Sequence, residues 1–216
     1  MNKSFAIFDM DGTLVDSMVY WQRLGREYLK QKGFTGDIEA VEQRVSSMTM
    51  TESCTMFVEE LGIPGTPESV MAEMDRVMDN HYRNDVPLKP GVREYLDALK
   101  AKGVTLCVAS ATPEPLVQAC LERLHVAEDF SFLLSCESVG AGKSSPAVYL
   151  EAARRMDAQP AQIAVYEDVL YAAATAQNAG FYTIGVYDAA NQTEWPLLSA
   201  LADESIVNWF IAAAQL

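Results

Sequence analysis

Histidine is almost missing from this chain, with His81 and His125 the two copies in 216 residues. Four cysteines are present (Cys54, Cys107, Cys120, Cys136), but no two are spaced as Cys-x-x-Cys. These shortages argue against a structural zinc site and predict free, buried thiols. Long apolar runs are lacking as well: none reaches the roughly 20 residues of a membrane-spanning helix, and the short stretch before Asp9 is no signal-peptide core. Unpaired thiols then fit a reducing, cytoplasmic setting. Basic residues are scarce, sixteen against thirty acidic ones, for a formal charge of −14. Such a field repels nucleic acid and anionic membranes, so neither is an expected partner. An anionic substrate would need local positive charge, from a metal or a few placed lysines.

What is present is ordinary globular composition, 50% apolar and 21% charged, in a length that suits one sizeable core or a core with a small insert. Ser4 to Phe8 is a short continuous apolar run ending in carboxylates, as expected of a central parallel strand buried on both faces. Similar runs at Val104 to Ala109, Phe132 to Leu134, Ile163 to Tyr166 and Tyr182 to Val186 alternate with helix-like stretches. This alternation predicts an α/β fold with a doubly wound, mostly parallel sheet. Helices are predicted over Val92 to Lys102, Pro113 to Leu124 and Pro146 to Met156, the last with Ser145 as N-cap.

Between Met18 and Asn84 the rhythm changes, because helical pieces follow one another and no strand intervenes. The first is expected from Met18 to Lys32. A second is opened by the capping box Thr49-Met50-Thr51-Glu52, and another starts at Thr66-Pro67-Glu68. The domains read from this pattern are an α/β core, residues 1–17 and 85–216, and a small all-helical insert, residues 18–84. His81 and His125 read as surface or helix-end residues, and Trp21, Tyr28, Met48, Met50 and Met56 as packing.

In an open parallel sheet, ligands bind beyond the carboxyl ends of the strands. Those ends carry Asp9 and Asp11, then Ser110 and Thr112, then Glu167 and Asp168, while Lys143 lies in a Gly-containing loop before a helix. Carboxylates converging on one rim require a cation or bound protons. Oxygen ligands with few histidines favour Mg2+ over zinc.

These residues, Asp9-Met10-Asp11-Gly12-Thr13-Leu14-Val15-Asp16-Ser17, then Ser110, then Lys143 with Pro146, then Glu167-Asp168, resemble the four signature motifs of the haloacid dehalogenase superfamily. The resemblance covers the whole chain and is to the phosphatase branch related to β-phosphoglucomutase. Two positions depart from the family pattern: Ser144 stands where a proline is usual and Ala147 where an aspartate is usual. The resemblance implies a Rossmann-like core whose helical insert is a cap, and a Mg2+-dependent phosphatase acting on a small phosphorylated metabolite through an aspartyl-phosphate. Asp9 would be the nucleophile and Asp11 the general acid and base. Ser110 and Lys143 would bind the phosphate, and Asp9, the Asp11 carbonyl and Asp168 would bind the metal. Glu167 is left out of that ligand set, and Asp16 and Ser17 read as the N-cap region of the first cap helix or the hinge before it.

Asp11 separates phosphoester chemistry from the superfamily's dehalogenases and phosphonate hydrolases, which lack a carboxylate at that position. Trp21 stands where the β-phosphoglucomutases have a histidine, which favours hydrolysis over a phosphosugar mutase. A catalytically silent metabolite-binding protein of the same fold is the other alternative. The loop Arg44 to Thr51 is the candidate for substrate selection, and a monomer or weak homodimer is expected.

Overall fold

The computed structural model describes residues 2–45 and 48–216. The chain divides into two compact units, residues up to 18 together with 86–216, and residues 19–85. Ser46 and Ser47, within the loop expected to select substrate, lie outside the described residues.

The smaller unit is helical: α1 (Met18–Gln31), α2 (Ile38–Val45), α3 (Met50–Glu59) and α4 (Pro67–Asn84). Thr49 caps α3 in a reciprocal capping box with Glu52, and Thr66 caps α4 in a second box with Ser69. Each box satisfies backbone N–H groups that the first helical turn leaves without partners. Apolar residues on one face of each helix, among them Leu24, Tyr28, Val41, Phe57, Met74 and Met78, form the buried interior. His81 is a helix-end residue, as expected. In the last turn of α4, its ring nitrogens contact Asp85 at 2.7 Å and Glu27 of α1 at 2.8 Å.

The larger unit is built on six strands, β1 (Phe5–Phe8), β2 (Thr105–Ser110), β3 (Leu133–Ser135), β4 (Ile163–Glu167), β5 (Tyr182–Val186) and β6 (Glu204–Ile206). All pair in parallel, in the order β3-β2-β1-β4-β5-β6. Its helices are α5 (Val92–Ala101), α6 (Glu114–Arg123), α7 (Cys136–Val139), α8 (Ala147–Arg155), α9 (Leu170–Asn178), α10 (Trp195–Leu201) and α11 (Trp209–Ala214). Among the described residues, no helix is long and apolar enough to cross a membrane.

Side chains alternate across a strand, so a sheet covered on both sides needs apolar residues at consecutive positions. Ile7, Cys107, Ala109, Ile163 and Val165 pack in one cluster with Val148, Tyr149 and Ala152 of α8 and Ala176 of α9. The neighbouring positions Phe8 and Tyr166 stack at 4.1 Å. Tyr166 in turn meets Tyr95 of α5 and Trp209 of α11. The Tyr95 and Tyr166 hydroxyls, both buried, satisfy each other at 2.9 Å. All four cysteines are free and buried.

This topology positions the chemistry. Strand order reverses between β1 and β4, the switch point where an open α/β sheet leaves a crevice at its carboxyl edge. Asp9 directly follows β1, β4 ends at Glu167 with Asp168 next, and β2, on the other side of β1, ends at Ser110.

Candidate active site

The sequence-predicted residues meet at this edge. Asp9, Glu167 and Asp168 are buried, and each offers a carboxylate oxygen within 4.8 Å of the other two. Lys143, carried by the loop between α7 and α8, forms ion pairs with Asp9 Oδ1 and, at 2.7 Å, with Glu167 Oε1. One ammonium cannot balance three buried carboxylates, so the cluster requires bound protons or a further cation. Its all-oxygen donor set fits a hard divalent cation such as Mg2+. Thr13 donates to Asp168 Oδ1 at 3.3 Å and Asn191 donates to Asp168 Oδ2 at 2.7 Å. At Gly12, with φ +80°, a Cβ would overlap the Asp168 carboxylate, so only glycine leaves room for it.

Asp11 stands apart from this cluster. Its carboxylate accepts hydrogen bonds from the Ser17 hydroxyl at 2.6 Å and the Thr112 hydroxyl at 2.7 Å. Ser17 therefore acts as a donor to Asp11 rather than simply as a helix cap. Ser110 is fully buried, and its oxygen accepts the Thr112 N–H at 3.0 Å, which leaves the hydroxyl proton free to donate.

Four contributors went unassigned in the sequence reading: Thr112 as a partner of Asp11, Asn191, Thr13, and Tyr149. The Tyr149 hydroxyl donates to Glu167 Oε1 at 2.7 Å. Glu167, set aside as a ligand, lies inside the three-carboxylate cluster. Asp-x-Asp-Gly-Thr places Thr13 next to the motif, so that signal was available. Asn191 follows β5 in a short turn, with no signal to find it by.

Burial drives the electrostatics. It raises the Asp9 carboxyl well above the usual carboxylate range; Lys143 opposes this, while Glu167, Asp168 and Asp11 add to it. Asp168 is pushed up to about 7 by burial and Glu167, against Lys143 and Lys89. Burial by itself would lower Lys143, but the Asp9 and Glu167 carboxylates outweigh it and raise the ammonium. Tyr149 is also raised, first by burial and then by Glu167, so its phenol stays protonated as a donor.

These directions set the metal-free pH dependence. Acids whose folded-state pKa exceeds the unfolded value of roughly 4 contribute stability that is full below that value and is lost as pH rises through the folded pKa. For Asp168 the window runs from the unfolded carboxylate range up to about 7. With chelator present, stability should fall by an order of 2–3 kcal/mol between about pH 5 and pH 8, and Mg2+ should narrow the gap. Thermal melts at the two pH values, with chelator and with Mg2+, check this. Equal melting temperatures in chelator would contradict it.

Comparison with known proteins agrees with this geometry. A family model described as haloacid dehalogenase-like hydrolase matches residues 5–180. A Thermotoga maritima protein named phosphorylated carbohydrates phosphatase is 28% identical over 188 residues, covering 86% of each chain. Hexitol phosphatase B of Escherichia coli K12 is 28% identical over 166 residues, 76% of this chain and 74% of that one. A Thermotoga maritima crystal structure, provisionally described as a beta-phosphoglucomutase, superimposes with a TM-score of 0.85 at 25% identity over 99% of both chains.

Proposed function

This chain belongs to the haloacid dehalogenase-like hydrolases, and on that premise we propose that it is a Mg2+-dependent phosphatase of a small phosphorylated metabolite, a sugar phosphate or a similar monoester. The similar proteins named for phosphorylated carbohydrates and hexitol phosphates support that substrate class. One observation carries the mechanism: two carboxylates two residues apart occupy different settings. Asp9 sits in the buried cluster with Lys143, while Asp11 is held outside it by Ser17 and Thr112. A nucleophile and a separate proton donor need this division of roles.

In the proposed reaction an Asp9 carboxylate oxygen attacks phosphorus, the bond from phosphorus to the ester oxygen breaks, and the leaving alkoxide takes the Asp11 proton. Water then attacks phosphorus, giving its proton to Asp11, and the bond from Asp9 to phosphorus breaks to free phosphate. The Ser110 hydroxyl and the Lys143 ammonium hold phosphate oxygens through both steps. Asp9, Asp168 and the Asp11 carbonyl would hold Mg2+, with Glu167 beside them, and its positive charge when bound offsets that of nucleophile and phosphate. Trp21 favours hydrolysis over sugar-phosphate mutation. Its indole has no basic nitrogen to deprotonate a sugar, and its N–H is committed to the Tyr82 hydroxyl at 3.0 Å. The helical unit holds a cavity of about 490 Å3 among Trp21, Gly25, Val45, Met50, Phe57 and Met74.

Asp11→Asn tests the division of roles. With p-nitrophenyl phosphate, whose leaving group needs no proton, the variant should release a burst of nitrophenolate close to one equivalent and then turn over slowly. With an alkyl phosphate its rate should fall by about 10^2–10^4-fold and show no burst. Equal losses on both esters, with no burst on either, would remove Asp11 from the acid and base role.

A further inference from the structure

Glu167 receives two donors on one oxygen. The Lys143 ammonium and the Tyr149 hydroxyl both bond Oε1, each at 2.7 Å. Both of these side-chain bonds fall on Oε1, and the Glu167 carboxylate also has an oxygen within 4.8 Å of carboxylate oxygens of Asp9 and Asp168. All three of these side chains are buried, and Tyr149 and Glu167 are at most 1% exposed. A buried hydroxyl on a carboxylate is a strong orienting contact, because neither group has water to fall back on. Tyr149 is itself held by packing, its ring tilted against Phe181 at 6.1 Å within the α8 face of the core. The same ring lies 6.0 Å from the Lys143 ammonium.

We propose that Tyr149 is a positioning residue for the cation site, fixing the Glu167 carboxylate from behind so that one oxygen is tied to Lys143 and the other is kept for the metal. This rests on the reading of the cluster as a Mg2+ site. Sequence offers no sign of it, because a tyrosine in the apolar face of α8 reads as core. Groups bonded to a ligand's far side set its orientation, and losing one weakens metal binding about 10–100-fold.

Tyr149→Phe removes only the hydroxyl, keeping the ring against Phe181 and near Lys143. Binding of Mg2+ is measured directly by calorimetry, and of Mn2+ by the loss of its free paramagnetic resonance signal, both without substrate. The dissociation constant should rise about tenfold or more in Tyr149→Phe, while KM at saturating Mg2+ moves by less than about twofold. Glu167→Gln should weaken binding too, and the double variant should show less than the product of the two losses, since both act through one carboxylate. Equal metal affinity in wild type and Tyr149→Phe would overturn the positioning role, as would independent losses that multiply in the double variant. No binding of either ion to the wild type would overturn the cation reading itself, and this inference with it. A purely structural tyrosine would instead lower the melting temperature with no change in metal affinity.

Discussion

Asp9→Asn should lower kcat for any phosphate ester by about 10^4-fold or more and leave the protein folded. The amide cannot attack phosphorus as a carboxylate does, and the Glu167 carboxylate is already bonded by both Lys143 and Tyr149. The fold should survive because the same burial that favours a protonated Asp9 makes a neutral side chain acceptable there. Asparagine is close to isosteric, and Lys143 keeps Glu167 as partner. Phosphate release and thermal melts followed by circular dichroism check both halves. A variant within tenfold of wild type would remove the nucleophile from the account.

Lys143→Ala is expected to be harsher on the molecule. It removes the cation between Asp9 and Glu167 and leaves three buried carboxylates facing one another. Removing one partner of a buried ion pair costs about 3–5 kcal/mol, because an uncompensated charge remains. Part of that should return on adding Mg2+, which replaces the lost charge, so the melting temperature should depend on Mg2+ more steeply than in wild type. Activity at saturating Mg2+ should still be down by about 10^2–10^3-fold, since the phosphate loses a fixed ammonium. Lys143→Arg should not rescue it, because a planar, bulkier guanidinium does not reproduce the compact ammonium held between Asp9 and Glu167. A melting temperature unchanged in chelator would show that the Lys143 ion pairs add nothing to stability.

Much of this site could be read along the chain, and the limits of that reading have physical causes. Ser4 to Phe8 is legible because a central parallel strand is buried on both faces, which writes an unbroken apolar run. The capping box at Thr49 is legible because both partners lie within one turn, whereas at Thr66 only the helix start is legible and its box with Ser69 is not. At α8 the cap expected at Ser145 falls one residue later, on Pro146, with the Ser145 hydroxyl accepting the Ala147 N–H at 3.4 Å. β6 left no mark because it is a three-residue edge strand in which only Ile206 is buried. α2 was missed for a similar reason: Val41 is its one buried residue, and charged and polar groups occupy much of the rest. The pairs Thr112 with Asp11 and Asn191 with Asp168 join residues far apart in sequence, so only the topology brings them together. Tyr149 shows the same limit within a helix: its ring belongs to the core and its hydroxyl to the site.

The central claim is a covalent phosphoryl group on Asp9, and trapping it is the most direct measurement. Asp11→Asn, mixed with p-nitrophenyl phosphate and Mg2+ and quenched in acid during the burst, would be reduced with borohydride, which converts an aspartyl phosphate to homoserine. Peptide mass spectrometry then locates the modified residue. The account predicts homoserine at position 9, in a yield that follows the nitrophenolate burst and vanishes when chelator replaces Mg2+. Modification at another residue, or a full burst with position 9 unmodified, would contradict it.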